Sequence, residues 1–191
     1  IMGKAPFTIV EMGANRGWLC YDIVQCVMKE YPEFYDNFHY IIVETNPYAR
    51  EKQRSLLESI NLTFFSDESD EKVSWHTYSE DGFSFDRIQG CFLSNEFVDA
   101  LPVHRLKVKN KVLKEIYVSY NNTSFFEIDD EISTEALKRY HEISQIHLSE
   151  GQGCEVNLSA AEWLRHVSEK LRKGFVITID YGDTTDGIYR E

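Results

Sequence analysis

The run Ile9-Val10-Glu11-Met12-Gly13-Ala14-Asn15-Arg16-Gly17 constrains the fold more than any other stretch of the chain. Apolar residues lead into an acid, and glycines follow two and six positions after it. A buried parallel strand that ends in a turn reads this way. Its residues are apolar because both faces are covered, and glycine takes positive φ and lets backbone approach a ligand. The run therefore predicts an α/β fold that binds a nucleotide-like cofactor where its first strand ends.

The pattern downstream agrees. Trp18 to Glu30 reads as a helix, with Leu19, Ile23 and Val27 four apart on one face. Tyr40 to Glu44 is a second continuously apolar strand ending in an acid. Asn46-Pro47 starts a second helix, because asparagine caps and proline at the first helical position has no donor to lose. Strand, helix, strand, helix with short connections is the signature of a parallel sheet. Val73 to Thr77 and Gly90 to Asn95 read as the third and fourth strands. From Leu106 to Ile128 the apolar residues alternate instead, as at Ile116, Val118 and Tyr120, and Asn121-Asn122 suits a hairpin turn. Phe125 and Phe126 are expected to pack that hairpin, the acidic Glu127 to Glu131 to form a loop, and Ser133 to Ser144 a helix. Ser159-x-x-Glu162 reads as a capping box, Gly174 as the stop of the helix it opens, and Phe175 to Ile179 as the fifth strand.

The fold class is thus α/β: a Rossmann-like, doubly wound, mostly parallel sheet carrying an antiparallel hairpin insertion. The expected division is residues 1–104 for the first part of the core, 105–150 for the inserted hairpin and helix on the substrate side, and 151–191 for the last helix and strand. The chain stops soon after a core strand, and a doubly wound sheet wants more strands, so it reads as incomplete at both ends.

Charge and cysteines narrow the function. The formal net charge is −12, the wrong sign for a protein that grips phosphate backbone. It suits a partner protein that presents a basic segment, and no nucleic acid is expected. No apolar stretch is long enough to span a bilayer, and no cleavable leader opens the chain, so a soluble, cytoplasmic protein is expected. Cys20, Cys26, Cys91 and Cys154 form no C-x-x-C pair and read as free thiols, with no metal site. The N-x-[ST] triplets at Asn61, Asn121, Asn122 and Asn157 then occur by chance.

Counting positions in the turn separates the cofactors. A dinucleotide site needs G-x-G-x-x-G. Counted from Gly13, the second and third glycines are Asn15 and Trp18, and an indole obstructs the close helix–strand packing that the third glycine serves. The pattern acid-x-G-x-G-x-G, that of class I S-adenosylmethionine methyltransferases, is met at Glu11, Gly13 and Gly17, with Asn15 the exception. Asparagine tolerates left-handed backbone better than other residues with a side chain. An acid at Glu11 suits the ammonium group of that cofactor. Glu44 at the end of the second strand suits its ribose hydroxyls.

Asn95-Glu96-Phe97-Val98-Asp99-Ala100-Leu101-Pro102-Val103 closes the fourth strand. Taken with Glu11 to Gly17, Val43-Glu44 and Ile179-Asp180-Tyr181-Gly182 in that order, it resembles the MidA family of class I methyltransferases over about residues 7 to 182. The resemblance implies S-adenosylmethionine as cofactor and maps Glu11, Gly13, Asn15, Gly17 and Glu44 to its site. Asn95, Glu96 and Asp99 map to catalysis on the substrate side, with Asp180 nearby. It also implies protein arginine methylation, and the mitochondrial matrix if the source is eukaryotic, since mitochondrial members assist assembly of respiratory complex I. The family usually carries glycine where this chain has Asn15. Two alternatives stand beside it: a non-catalytic methyltransferase-like assembly factor, and a NAD-dependent oxidoreductase. His104, close to this run, is a candidate base, and Trp75 belongs either to the core or to an adenine pocket.

Overall fold

A computed structural model describes residues 6–60, 72–144, 147–184 and 187. The Asn61 triplet and much of the polar tail lie outside these. In chain order the elements are β1 (Phe7–Met12), α1 (Trp18–Glu30), α2 (Pro32–Tyr35), β2 (Phe38–Val43), α3 (Pro47–Glu58), β3 (Val73–His76), β4 (Tyr78–Ser79), β5 (Gly82–Phe83), β6 (Ile88–Asn95), β7 (His104–Lys109), β8 (Val112–Tyr120), β9 (Phe125–Asp130), α4 (Glu135–Ser144), β10 (Gly153–Val156), α5 (Leu158–Lys170) and β11 (Leu171–Ile179).

The chain divides into two compact units, residues 1–100 with 163–180 and residues 101–162 with 181–191. The first holds a five-stranded sheet in the order β11-β6-β1-β2-β3, with every pairing parallel. Its interior strands are mostly apolar because both faces are covered. Val10, Met12, Ile41, Val43 and Phe92 point to one face and pack with Phe83, Phe85, Trp163 and Val167. Tyr40 and Ile42 point to the other and pack with Cys20 and Val24 of α1 and Leu57 of α3. Asn46 caps α3 as expected, its side chain accepting from Tyr48 N at 2.9 Å.

The second unit is a four-stranded antiparallel sheet in the order β10-β7-β8-β9. Leu106, Leu137, Cys154 and Val156 form its buried cluster. Two hairpins build it. Asn121 closes one, its Oδ1 accepting from the Thr123 and Ser124 amides at 3.1 and 3.0 Å. The other turns at Asn110-Lys111, both with positive φ.

Three local readings change. The expected acidic loop is strand β9, stabilised where Lys109 Nζ reaches Asp129 Oδ2 at 2.5 Å and Arg105 pairs with Glu127. Phe125 packs on the hairpin as expected, its ring centroid 5.1 Å from that of Tyr120, although it and Phe126 are 77% and 42% exposed. Helix α5 starts two residues earlier than the Ser159 box implies, with Asn157 Oδ1 accepting from Ala160 N at 2.8 Å. Gly174 stops no helix. It lies within β11 opposite Gly90, where a Cβ would fall 1.7 Å from the Gly90 carbonyl oxygen.

Phe92 is wholly buried, its ring centroid 5.3 Å from Phe83 and 6.2 Å from Phe85. Phe92→Ala is expected to lower the unfolding free energy by about 3–5 kcal/mol, read by urea denaturation.

Candidate functional site

Parallel register fixes where the site lies. Met12 stands opposite Val43 on β2 and Ser94 on β6, and Asn95 stands opposite Ile179 on β11. The next residues along each strand, Gly13, Glu44, Glu96 and Asp180, therefore leave the sheet at one edge. All four come from the segments singled out in the sequence.

The turn after β1 is built from left-handed residues: Gly13 at φ 69°, Asn15 at 49° and Gly17 at 84°. Asn15 thus takes the conformation that favours glycine, as its chemistry permits. Gly17 caps α1 and donates its amide to the Ala14 carbonyl at 2.7 Å. Gly17 is the tighter of the two glycines. A Cβ on Gly13 would lie 3.4 Å from the Phe97 ring, and one on Gly17 3.1 Å from Gln53 Cγ.

Glu11 sits beneath this turn at 3% exposure. Tyr40, equally buried, donates its hydroxyl to Glu11 Oε2 at 2.8 Å. Burial pushes the Glu11 carboxyl up to about 7, against the opposing effect of the Tyr40 hydrogen bond. Burial, with Glu11 nearby, likewise pushes the Cys20 thiol far up.

Glu11, Gly13, Asn15, Asn95 and Glu96 line one cavity of about 490 Å³, together with Ala14, Arg16, Trp18, Leu19 and Asp22. That size suits a small-molecule cofactor. Of the residues expected at a cofactor or substrate site, Gly17, Glu44 and Asp99 do not line it. Gly17 is buried behind the turn against Gln53. Glu44 is half-buried, with Oε1 accepting from Asn46 N at 2.9 Å and its carbonyl accepting from Arg50 Nε at 2.6 Å. Asp99 is exposed, and its amide donates to Asp180 Oδ2 at 3.3 Å. Glu96 has φ 46°, unusual for a residue with a side chain, and its amide donates to the Ile179 carbonyl at 2.8 Å. The bend that presents Glu96 is therefore held by β11.

Arg16, Trp18 and Asp22 were not singled out by sequence. The signals were present: Arg16 lies inside the glycine turn, and Trp18 and Asp22 are four apart on α1. A second cavity of about 570 Å³ shares Asn15, Arg16 and Trp18 and is completed by Tyr48, Ala49, Lys52 and Leu56. Trp75 is half-buried, packs against the core and lines neither cavity. Its indole nitrogen donates to Gln53 Oε1 at 2.8 Å, and the Arg54 guanidinium lies 4.7 Å from its ring centroid. His104 belongs to the second unit, with Nδ1 2.7 Å from Glu115 Oε1. Burial opposes ionisation of Glu115, but hydrogen bonds from His104, Ser133 and Tyr117 prevail and hold its carboxyl down at about 2. Among the described residues no cluster of metal ligands occurs, and no helix is long and apolar enough to cross a membrane.

The sequence profile described as "Putative S-adenosyl-L-methionine-dependent methyltransferase" matches residues 1–191. A relative from Drosophila melanogaster, the mitochondrial "Protein arginine methyltransferase NDUFAF7 homolog", is 25% identical over 201 residues, covering 93% of this chain and 43% of its own. Two crystal structures of COG1565 superfamily proteins from Burkholderia thailandensis share the fold. One, bound to S-adenosyl-homocysteine, has a TM-score of 0.75 at 22% identity, covering 97% of this chain and 44% of that one. The other, a native structure, has a TM-score of 0.76 at 23% identity, covering 97% and 46%. The chain thus spans less than half the length of these relatives.

The raised Glu11 carboxyl has a signed consequence. Its ordinary value is 4.5 and its folded value about 7. Between those pH values the folded protein keeps a proton that the unfolded chain has lost, so stability falls as pH rises through this window and is level above it. The loss is about 3 kcal/mol. Glu11→Gln keeps an acceptor for Tyr40 and removes the ionisable group. Thermal melts from pH 5 to 8 are expected to show the variant gaining on the wild type as pH rises.

Proposed function

We propose that this chain, which belongs to this S-adenosyl-L-methionine-dependent methyltransferase family, forms the cofactor-binding part of an enzyme that methylates an arginine of a partner protein. The observation that carries this reading is the cavity at the sheet edge, which Glu11, Asp22 and Glu96 line together with a single guanidinium, Arg16. A ligand with an ammonium, a sulfonium and one carboxylate matches that set of charges. A pyrophosphate would meet three carboxyl groups, which disfavours a dinucleotide.

Each residue then has a task. Glu11 receives the ammonium group, and a cation beside it draws its carboxyl toward the ionised form. Gly13 and Asn15 let the backbone approach the ligand, and Gly17 lets α1 begin at the turn. Glu44, at the end of the neighbouring strand, serves the ribose hydroxyls. When bound, S-adenosylmethionine supplies an electrophilic methyl group. An arginine side chain stays protonated at neutral pH, so the protein's part is to orient it and hold positive charge on the nitrogens that do not react. Glu96, fixed in its bend, and Asp99 grip the guanidinium, and Asn95 helps to orient it. A basic segment of the partner suits a protein of net charge −12. The fly relative's name supports arginine as the acceptor and mitochondria as the compartment.

Calorimetric titration of the full-length protein is expected to show binding of S-adenosylmethionine and none of NAD. Absence of S-adenosylmethionine binding would overturn the reading. Glu96→Gln is expected to reduce methyl transfer to the partner by at least about 100-fold while cofactor affinity changes less than about threefold. Normal transfer by this variant would remove Glu96 from the role. Cofactor binding with no transfer to any arginine by the wild type would favour the assembly-factor alternative.

A further inference from the structure

Gln53 lies on α3, 38 residues from the turn it touches, and is wholly buried. Its Oε1 accepts from the Trp75 indole nitrogen at 2.8 Å, and its Nε2 donates to the Asn15 carbonyl oxygen at 2.8 Å. An indole nitrogen only donates and a carbonyl only accepts, so the two partners fix which way the amide points. The carbon chain of Gln53 meanwhile fills the space beside Gly17, with Cγ 3.1 Å from where a Cβ would be. One side chain thus braces two of the three left-handed residues in the turn, including the one that is not glycine.

We propose that Gln53 is a positioning residue for the cofactor: by holding the Asn15 carbonyl it keeps the turn in its left-handed form, which lets asparagine stand there. It touches the turn and not the cavity, so it acts through the backbone that lines the site. A buried amide is costly to leave half-bonded, so the clamp forms with the fold rather than with the ligand. The turn is then already shaped before the cofactor arrives, which favours affinity. Glycine at 15 needs less support, because positive φ carries no Cβ penalty for it.

This inference rests on the cofactor reading, and one experiment separates the two. S-adenosyl-homocysteine affinity is measured by calorimetry on the full-length wild type and on Gln53→Met, Asn15→Gly and the double variant, with a thermal melt of each. Methionine keeps the length and removes both hydrogen bonds. Gln53→Met is expected to bind about tenfold more weakly. Adding Asn15→Gly is expected to bring affinity back to within about threefold of the Asn15→Gly single variant. The melting temperature stays lowered, because the Trp75 donor has still lost Gln53. Recovery of affinity without recovery of stability is what a general packing role would not produce. Undiminished binding by Gln53→Met, or affinity that stays low in the double variant, overturns the proposal. A wild type that does not bind overturns the cofactor reading and this inference with it.

Discussion

Parallel pairing places every strand tip of the five-stranded sheet on one edge, and the chemistry of the molecule follows from that. Gly13, Glu44, Glu96 and Asp180 are far apart in sequence, yet each is the first residue beyond a ladder whose register aligns them. No long-range side-chain contact is needed to gather them. The ladder does so, and the apolar faces on either side keep it from slipping, because a shift of one residue would turn Val10, Met12, Ile41 and Val43 from one covered face to the other. The turn after β1 then needs to solve only a local problem, leaving a buried strand and starting a helix within five residues.

The site is made at the expense of stability. Glu11 is a carboxyl group at 3% exposure in a layer of aromatic and apolar side chains, and one hydroxyl from Tyr40 offsets part of the desolvation. Asn15 and Glu96 occupy backbone regions that residues with side chains avoid, and each is tied to another element, Asn15 accepting from Gln53 and Glu96 donating to Ile179. These features cost the fold something and lie on or beside one cavity. Positive φ alone does not mark a site, since the Asn110-Lys111 hairpin turn shows it too; here it coincides with a buried carboxyl group and a cavity.

The sequence revealed this edge well because its signals are local. Continuous apolar strands, an acid at each tip, glycines at fixed offsets and the Asn46-Pro47 start each depend on a few adjacent residues. The antiparallel sheet was harder to read. Glu127 to Asp130 look like a loop because their acids suggest solvent, but an edge strand also faces solvent, and the cations that support it lie 20 and 22 residues away on β7. Strand β10 alternates exposed and buried residues but is only four residues long, too short for that pattern to stand out. Gly174 illustrates the opposite error. A glycine at a helix end usually marks a stop, whereas here it marks where β11 crosses Gly90 without room for a side chain. Within the site, Arg16 and Asp22 escaped notice because a motif names the residues that repeat and passes over those between them. Gln53 was invisible because nothing at its own position announces a partner on the first turn.

The second unit carries a core of its own in Leu106, Leu137, Cys154 and Val156. A body that supports its own folding can accept substitutions without passing their cost to another. A substitution in this cluster therefore falls on the second unit and leaves the turn after β1 and the strand tips of the first in place. Solved structures only 22 and 23% identical share the fold over 97% of the chain. Tolerance of damage and precision of geometry are thus assigned to separate bodies of one chain.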